Sequence, residues 1–126
     1  MPWNLLISRR DLRLISGVVM LLYLASHLAN HALGLISLDT AEVMLGSVVR
    51  FWRNPAVTVV LYGAAGVHVA LAIVSVYERR TFRLPAPELL RIALGFWLPI
   101  MLIGHAITTR LEYELIGAPS TYTRVV

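Results

Sequence analysis

The chain has 126 residues, of which 58% are hydrophobic and only 14% charged. Soluble domains carry about 25% charged residues, so a polytopic membrane protein is indicated and a water-soluble globular domain is excluded. The +4 net charge comes entirely from arginine, and there is no cysteine. Disulfides, thiolate metal centres, iron–sulfur clusters and covalent c-type haem are therefore excluded. Arginines grouped beside apolar runs mark topology and lipid headgroups, not nucleic acid.

The lead from Met1 to Arg13 is basic, with Arg9, Arg10 and Arg13. Ser8-Arg9-Arg10-Asp11-Leu12 has the look of a twin-arginine export signal. The apolar run behind it is too long for a signal sequence, holds two histidines and has no small-x-small cleavage site. It reads as a retained first helix over 11–38. Its uncharged part, Leu14 to Leu38, is long enough at 1.5 Å per residue to cross a bilayer core of about 30 Å.

Asp39-Thr40-Ala41-Glu42 reads as a capping box that opens a short amphipathic helix over 40–52. That helix is too short and too charged to span. It is expected to lie on the membrane surface with Phe51 and Trp52 as interfacial anchors. Asn54-Pro55 opens a second spanning helix over 55–79, with Pro55 in the first turn. Leu84-Pro85-Ala86-Pro87 is a stiff turn. A third span follows over 88–110, with Arg91 snorkelling and Pro99 predicted to kink it. Leu111 to Val126 reads as a loop or surface segment.

The fold expected is all-α: one membrane domain over 1–126, with three spanning helices and one short interfacial helix. Arginines on the N-terminal side and around the loop after the second span outnumber those on the other side by seven to four. That bias places the N-terminus in the cytoplasm and the tail outside.

All four histidines fall inside spanning segments: His27 and His31, then His68, then His105. An ionisable side chain at such depth is a functional-site candidate, and imidazole is an axial ligand of haem iron. From the helix rise, His27 and His31 stand about 20 and 25 Å above the inner edge and His105 about 24 Å. His68 stands only about 10 Å above it. One level near the outer face is thus shared by the first and third spans, and His68 is alone near the inner face. His68 is expected to find its partner outside these three helices, in a later helix or a second copy. Small residues flank these sites: Ala25, Ala29, Ala32, Gly34, Ala64, Ala65, Ala72 and Gly104. They let a macrocycle or another helix approach closely. The competing structural reading is that each histidine only hydrogen-bonds to a neighbouring helix. Zinc is disfavoured because no acidic or thiolate ligand lies near them in the spans. Gly63-Ala64-Ala65-Gly66 is helix packing and not a phosphate loop. With no nucleophile–base pair, metal carboxylates or nucleotide site, no catalytic centre is expected in this chain.

Four stretches carry a resemblance. They are Ser26-His27-Leu28-Ala29-Asn30-His31-Ala32-Leu33-Gly34-Leu35, Phe51-Trp52-Arg53-Asn54-Pro55, Tyr62-Gly63-Ala64-Ala65-Gly66-Val67-His68, and Leu98-Pro99-Ile100 with Gly104-His105 and Thr109-Arg110. In order and spacing they resemble the membrane anchor of bacterial class III adenylate/guanylate cyclases. That anchor is itself similar to the dihaem cytochrome b subunit of succinate dehydrogenase and fumarate reductase.

The resemblance implies two b-type haems on histidines of separate helices, a response to quinone and a cytoplasmic cyclase domain in the same longer chain. It assigns ligands to His68, to His105 and to one of His27 and His31. A histidine followed by leucine favours His27, whereas depth favours His31, and both stay open. The family's anchor has more spanning helices than this sequence. The expectation is an N-terminal part of a longer anchor, or self-association, with one haem in this chain alone and two in the full anchor. The expected location is the bacterial inner membrane. The alternatives are a cytochrome b-type subunit of a respiratory quinone oxidoreductase and a cofactor-free membrane anchor.

Overall fold

The computed structural model describes residues 7–117. Residues 1–6 and 118–126, including the end of the tail expected outside, lie outside the described residues. The described chain is helical: α1 (Arg9–Leu33), α2 (Leu38–Trp52), α3 (Pro55–Tyr77), α4 (Ala86–Ala106), a π-helical turn (Ile107–Leu111) and α5 (Glu112–Ile116). Three stretches are long and apolar enough to cross a membrane, Arg9–Leu33, Pro55–Tyr77 and Ala86–Ile116. They mark the chain as a membrane protein with an all-α fold. The chain divides into two compact units, Met1–Glu78 and Arg79–Val126.

In the first unit, α1 begins two residues earlier than predicted. Ser8 caps it: its Oγ accepts from the Asp11 amide at 3.1 Å, and Asp11 Oδ2 accepts from the Ser8 amide at 3.0 Å. The pair that looked like part of an export signal is thus a capping box with aspartate in the third position, where its charge also suits the helix dipole. The helix ends at Leu33 and not at Leu38. Leu35 and Ile36 donate to carbonyls three residues back, at 3.1 and 2.9 Å, which tightens the last turn. A Cβ at Gly34 would come within 3.1 Å of the His31 carbonyl, so glycine suits this tight turn.

The cap of α2 is Ser37 in extended backbone, not Asp39: its Oγ accepts from the Thr40 amide at 3.0 Å. Asp39 falls inside the first turn, where a negative charge is still favourable. Asn54 and Pro55 open α3 as expected, with Asn54 Oδ1 accepting from the Ala56 amide at 3.0 Å.

α1 and α3 pack antiparallel. Arg9 at the start of α1 reaches Glu78 at the end of α3, with Nη1–Oε1 at 2.9 Å. One turn further in, Arg13 Nη2 donates to Ser75 Oγ at 2.6 Å, and beyond it Ser16 meets His68. The shielded positions of α1 are 16–17, 19–20, 23, 26–27, 30 and 33–34, and those of α3 are 57–58, 61, 64–65, 68–69, 71–72 and 75–76. That is a repeat of about 3.5 residues, the seam of two helices wound on each other. Leu14, Leu21 and Val59 point away, at 65, 62 and 71% exposure. Between helices in lipid there is no hydrophobic drive, so the seam relies on small residues and polar pairs. Among the described residues only Ser16, Asn30 and Ala41 are fully buried.

In the second unit, α4 starts at Ala86 and not at Glu88, with Pro87 in its first turn. Glu88 pairs with Arg79 at 2.6 Å. Pro99 lies inside the helix, which continues through it. The expected loop from Leu111 is helical instead, carried through the π-turn to Ile116 and closed by Gly117 at φ 62°. The left-handed conformation at Gly117 is the helix stop that glycine permits. An Arg110–Glu114 pair at 3.1 Å supports this last stretch.

Replacing Ser16 by Leu should therefore damage the α1–α3 seam, at a cost of about 1–3 kcal/mol from overpacking. Leu14→Ala, on the outward face, should cost less than about 0.5 kcal/mol. Unfolding of the reconstituted protein in increasing detergent denaturant checks the contrast; equal effects would contradict the seam.

Candidate functional site

His68 is half-buried, and its position is set by α1. Its Nδ1 lies 3.0 Å from Ser16 Oγ, and Ser16 is 3% exposed. The ring also rests against Gly17, where an added Cβ would stand 3.4 Å from Cε1 and 3.7 Å from Nδ1. This corrects the expectation that His68 finds its partner outside the three spans: its hydrogen-bond partner is on α1. It also corrects the depth. His68 is level with Ser16, two residues along α1 from Leu14, so it lies about 3 Å from the level of Leu14 and not about 10 Å as expected.

Gly17 has a second side. With Arg10, Arg13, Leu14, Val18 and Leu21 it lines a shallow groove of about 500 Å³ on α1. The groove is open, and Arg10 and Arg13 lie at one end of it. Arg13 is held by Ser75.

His27 and His31 form a pair. Their Nε2 atoms are 3.2 Å apart and their rings meet edge to face, with centroids 4.5 Å apart and planes at 82°. An i, i+4 spacing on one helix puts them on one face. Two side chains of one helix face, with their nitrogens already in contact, leave no room for a flat macrocycle between them, so they would not both ligate one haem. A single member could ligate after giving up its hydrogen bond to the other, which makes the second a natural partner for a nearby acceptor.

A stack of rings ties this pair to α2. Tyr23 stacks on His27 at 5.7 Å, and Trp52 meets Tyr23 edge-on at 5.1 Å. The Trp52 indole donates to Ser26 Oγ at 2.9 Å, and Ser26 donates to the Tyr23 carbonyl at 2.8 Å. Trp52 was expected as an interfacial anchor beside Phe51. It is half-buried and docks α2 onto α1, while Phe51 is 58% exposed.

His68 and His27 therefore stand at separate levels of the same seam. Ser16 and His27 are eleven residues apart on α1, about 16 Å at the helical rise. His105 belongs to the second unit, near the end of α4, and is exposed. Its carbonyl accepts from the hydroxyls of Thr108 and Thr109, at 3.0 and 2.8 Å, inside the π-turn. Such single π-turns are frequent at functional positions. Among the described residues no three of His, Cys, Asp and Glu converge to hold a metal ion.

Sequence reasoning did not single out Ser16, Gly17, Ser26 or Ser75. The available signal was their spacing: Ser16 and Ser26 recur on the face that also carries Tyr23 and Asn30. Comparisons with family models, curated proteins and solved structures yield no match to the chain.

Trp52→Phe should cost about 0.5–1.5 kcal/mol through the lost hydrogen bond, and Ser26→Ala a similar amount. Combined, they should cost less than their sum, because they remove one shared interaction. A double-mutant cycle by detergent unfolding measures this, and strict additivity would contradict the contact.

Proposed function

We propose that this chain is a haem b-binding, quinone-responsive membrane module that regulates an attached adenylate/guanylate cyclase. In this reading it sits in the bacterial inner membrane with its N-terminus in the cytoplasm. The observation that carries the haem reading is the two-level arrangement of imidazoles along one helix seam, about 16 Å apart by helix rise. Two b-type haems stacked across a membrane need this arrangement.

When bound, haem b supplies a one-electron redox centre whose potential is set by its axial ligands and their hydrogen bonds. The chain's own residues supply the rest. His68 serves the inner level, and the groove with Arg10 and Arg13 receives carboxylates beside it. One of His27 and His31 serves the outer level and the other donates a hydrogen bond. His105 is a further candidate ligand. A second ligand for the His68 level comes from further membrane helices or a second copy of this chain. Arg9–Glu78 and Arg13–Ser75 tie the two helices at their common end. A change in the seam therefore reaches the segment that follows α3, which is the physical route proposed for signalling to a cyclase domain. Quinone reaches such a site laterally from lipid.

The expected result for the purified protein in lipid nanodiscs is a Soret band of b-type haem. His105→Ala should lower the haem content. One of His27→Ala and His31→Ala should abolish the outer-level component, and the other should keep it with a shifted potential. Full haem content in both single variants would overturn the outer-level ligand, and no haem in the native protein would overturn the reading. For orientation, a cysteine placed at Thr81 should be labelled from the cytoplasmic side and one at Asp39 from the opposite side. The reverse pattern would overturn the proposed topology.

A further inference from the structure

We infer that Ser16 is the positioning residue of His68: it takes the Nδ1 proton, so that Nε2 carries a free lone pair for an axial bond to haem iron. The inference rests on the haem reading above and adds to it the tautomer and the residue that sets it.

The argument starts from the hydroxyl of Ser16. It has one proton to donate and two lone pairs. Two groups lie within hydrogen-bond reach: the Arg13 carbonyl at 3.2 Å and His68 Nδ1 at 3.0 Å. A carbonyl oxygen can only accept. If the hydroxyl proton were spent on His68, Ser16 and Arg13 would face each other with two oxygen lone pairs at 3.2 Å. That contact is repulsive, and Ser16 is 3% exposed, so water does not screen it. One arrangement makes both contacts favourable. His68 Nδ1–H donates to Ser16 Oγ, and Ser16 Oγ–H donates to the Arg13 carbonyl. Each bond polarises the next, and in a low-dielectric span the chain is strengthened accordingly.

A neutral imidazole has one N–H. With that proton on Nδ1, Nε2 is unprotonated and is the metal-binding nitrogen. Among the described residues Nε2 has no hydrogen-bond partner. The second nitrogen of a ligating histidine is commonly held by such an outer partner, and its loss typically costs 10–100-fold in metal affinity. The ring also lies over Gly17, where an added Cβ would stand 3.4 Å from Cε1. The contrast with the other level is instructive. In the His27–His31 pair both Nε2 atoms are engaged with each other. His68 is the imidazole already prepared to ligate; the pair must first separate.

The tautomer can be read directly, without haem, from the 15N spectrum of the histidine-labelled full chain in lipid nanodiscs. Native His68 is expected with a protonated Nδ1 and a bare Nε2. Ser16→Ala should erase that preference, and Ser16→Thr, which keeps a hydroxyl, should restore it. A native His68 protonated on Nε2 would overturn the inference, as would an Nδ1 proton indifferent to Ser16→Ala. The second readout is uptake of haem b with free imidazole present as the other axial ligand. The His68-dependent component, defined by its loss in His68→Ala, should weaken about 10- to 100-fold in Ser16→Ala and recover in Ser16→Thr. If the tautomer is as expected but no haem component depends on His68, the axial role falls, and with it the haem reading at this level.

Discussion

The seam between α1 and α3 is the constraint on which the first unit depends. In lipid, two apolar helices gain nothing by hiding leucines from a solvent as apolar as themselves. What holds them is close approach and polar pairing. Arg9–Glu78, Arg13–Ser75 and Ser16–His68 follow one another along the seam. The outermost pair is well exposed and contributes little to stability. Ser16–His68 is the costly one to break, because a ring nitrogen and a hydroxyl would be left in a span without water.

That cost is also what makes the contact useful. A buried polar pair strongly favours one register, since sliding the helices by a turn would strand both groups. With register set, the level of each imidazole follows. His68 lies beside Ser16, and the His27–His31 pair lies more than three turns away, on the same helix. The aromatic stack then brings α2 into the same frame through Trp52 and Ser26. The polar contacts of the seam thus determine both the packing and the spacing of the proposed redox levels.

The two histidine sites differ in readiness. His68 has one nitrogen committed to an outer partner and one free. His27 and His31 satisfy each other at 3.2 Å, so a ligand entering there must compete with an existing hydrogen bond. A module with one prepared and one self-satisfied site would load its levels unequally. In the proposed redox-responsive anchor that difference would couple occupancy to helix position, since a ligand at the pair would break the contact between His27 and His31.

Much of this was legible in the sequence, for one physical reason. Length and apolarity of a segment decide whether it can span, and both are local properties. The three spans, the short α2, the Asn54-Pro55 start and the placement of the four histidines within apolar helices all follow from them. Helix ends were less legible, because caps compete. Ser37 and Asp39 are both good caps, and only the turn at Gly34–Ile36 decides for Ser37. Ser8-Arg9-Arg10-Asp11 likewise reads two ways until the backbone closes the box. The partner of His68 was beyond sequence altogether. A serine in a span is an ordinary small residue until an antiparallel neighbour sets the register. Then a side chain 52 positions away in the chain comes within 3.0 Å. Sequence alone determined that four imidazoles lie at membrane depth. Only tertiary structure decided which nitrogen of His68 is held, because a hydrogen bond depends on distance between helices and not on order within one.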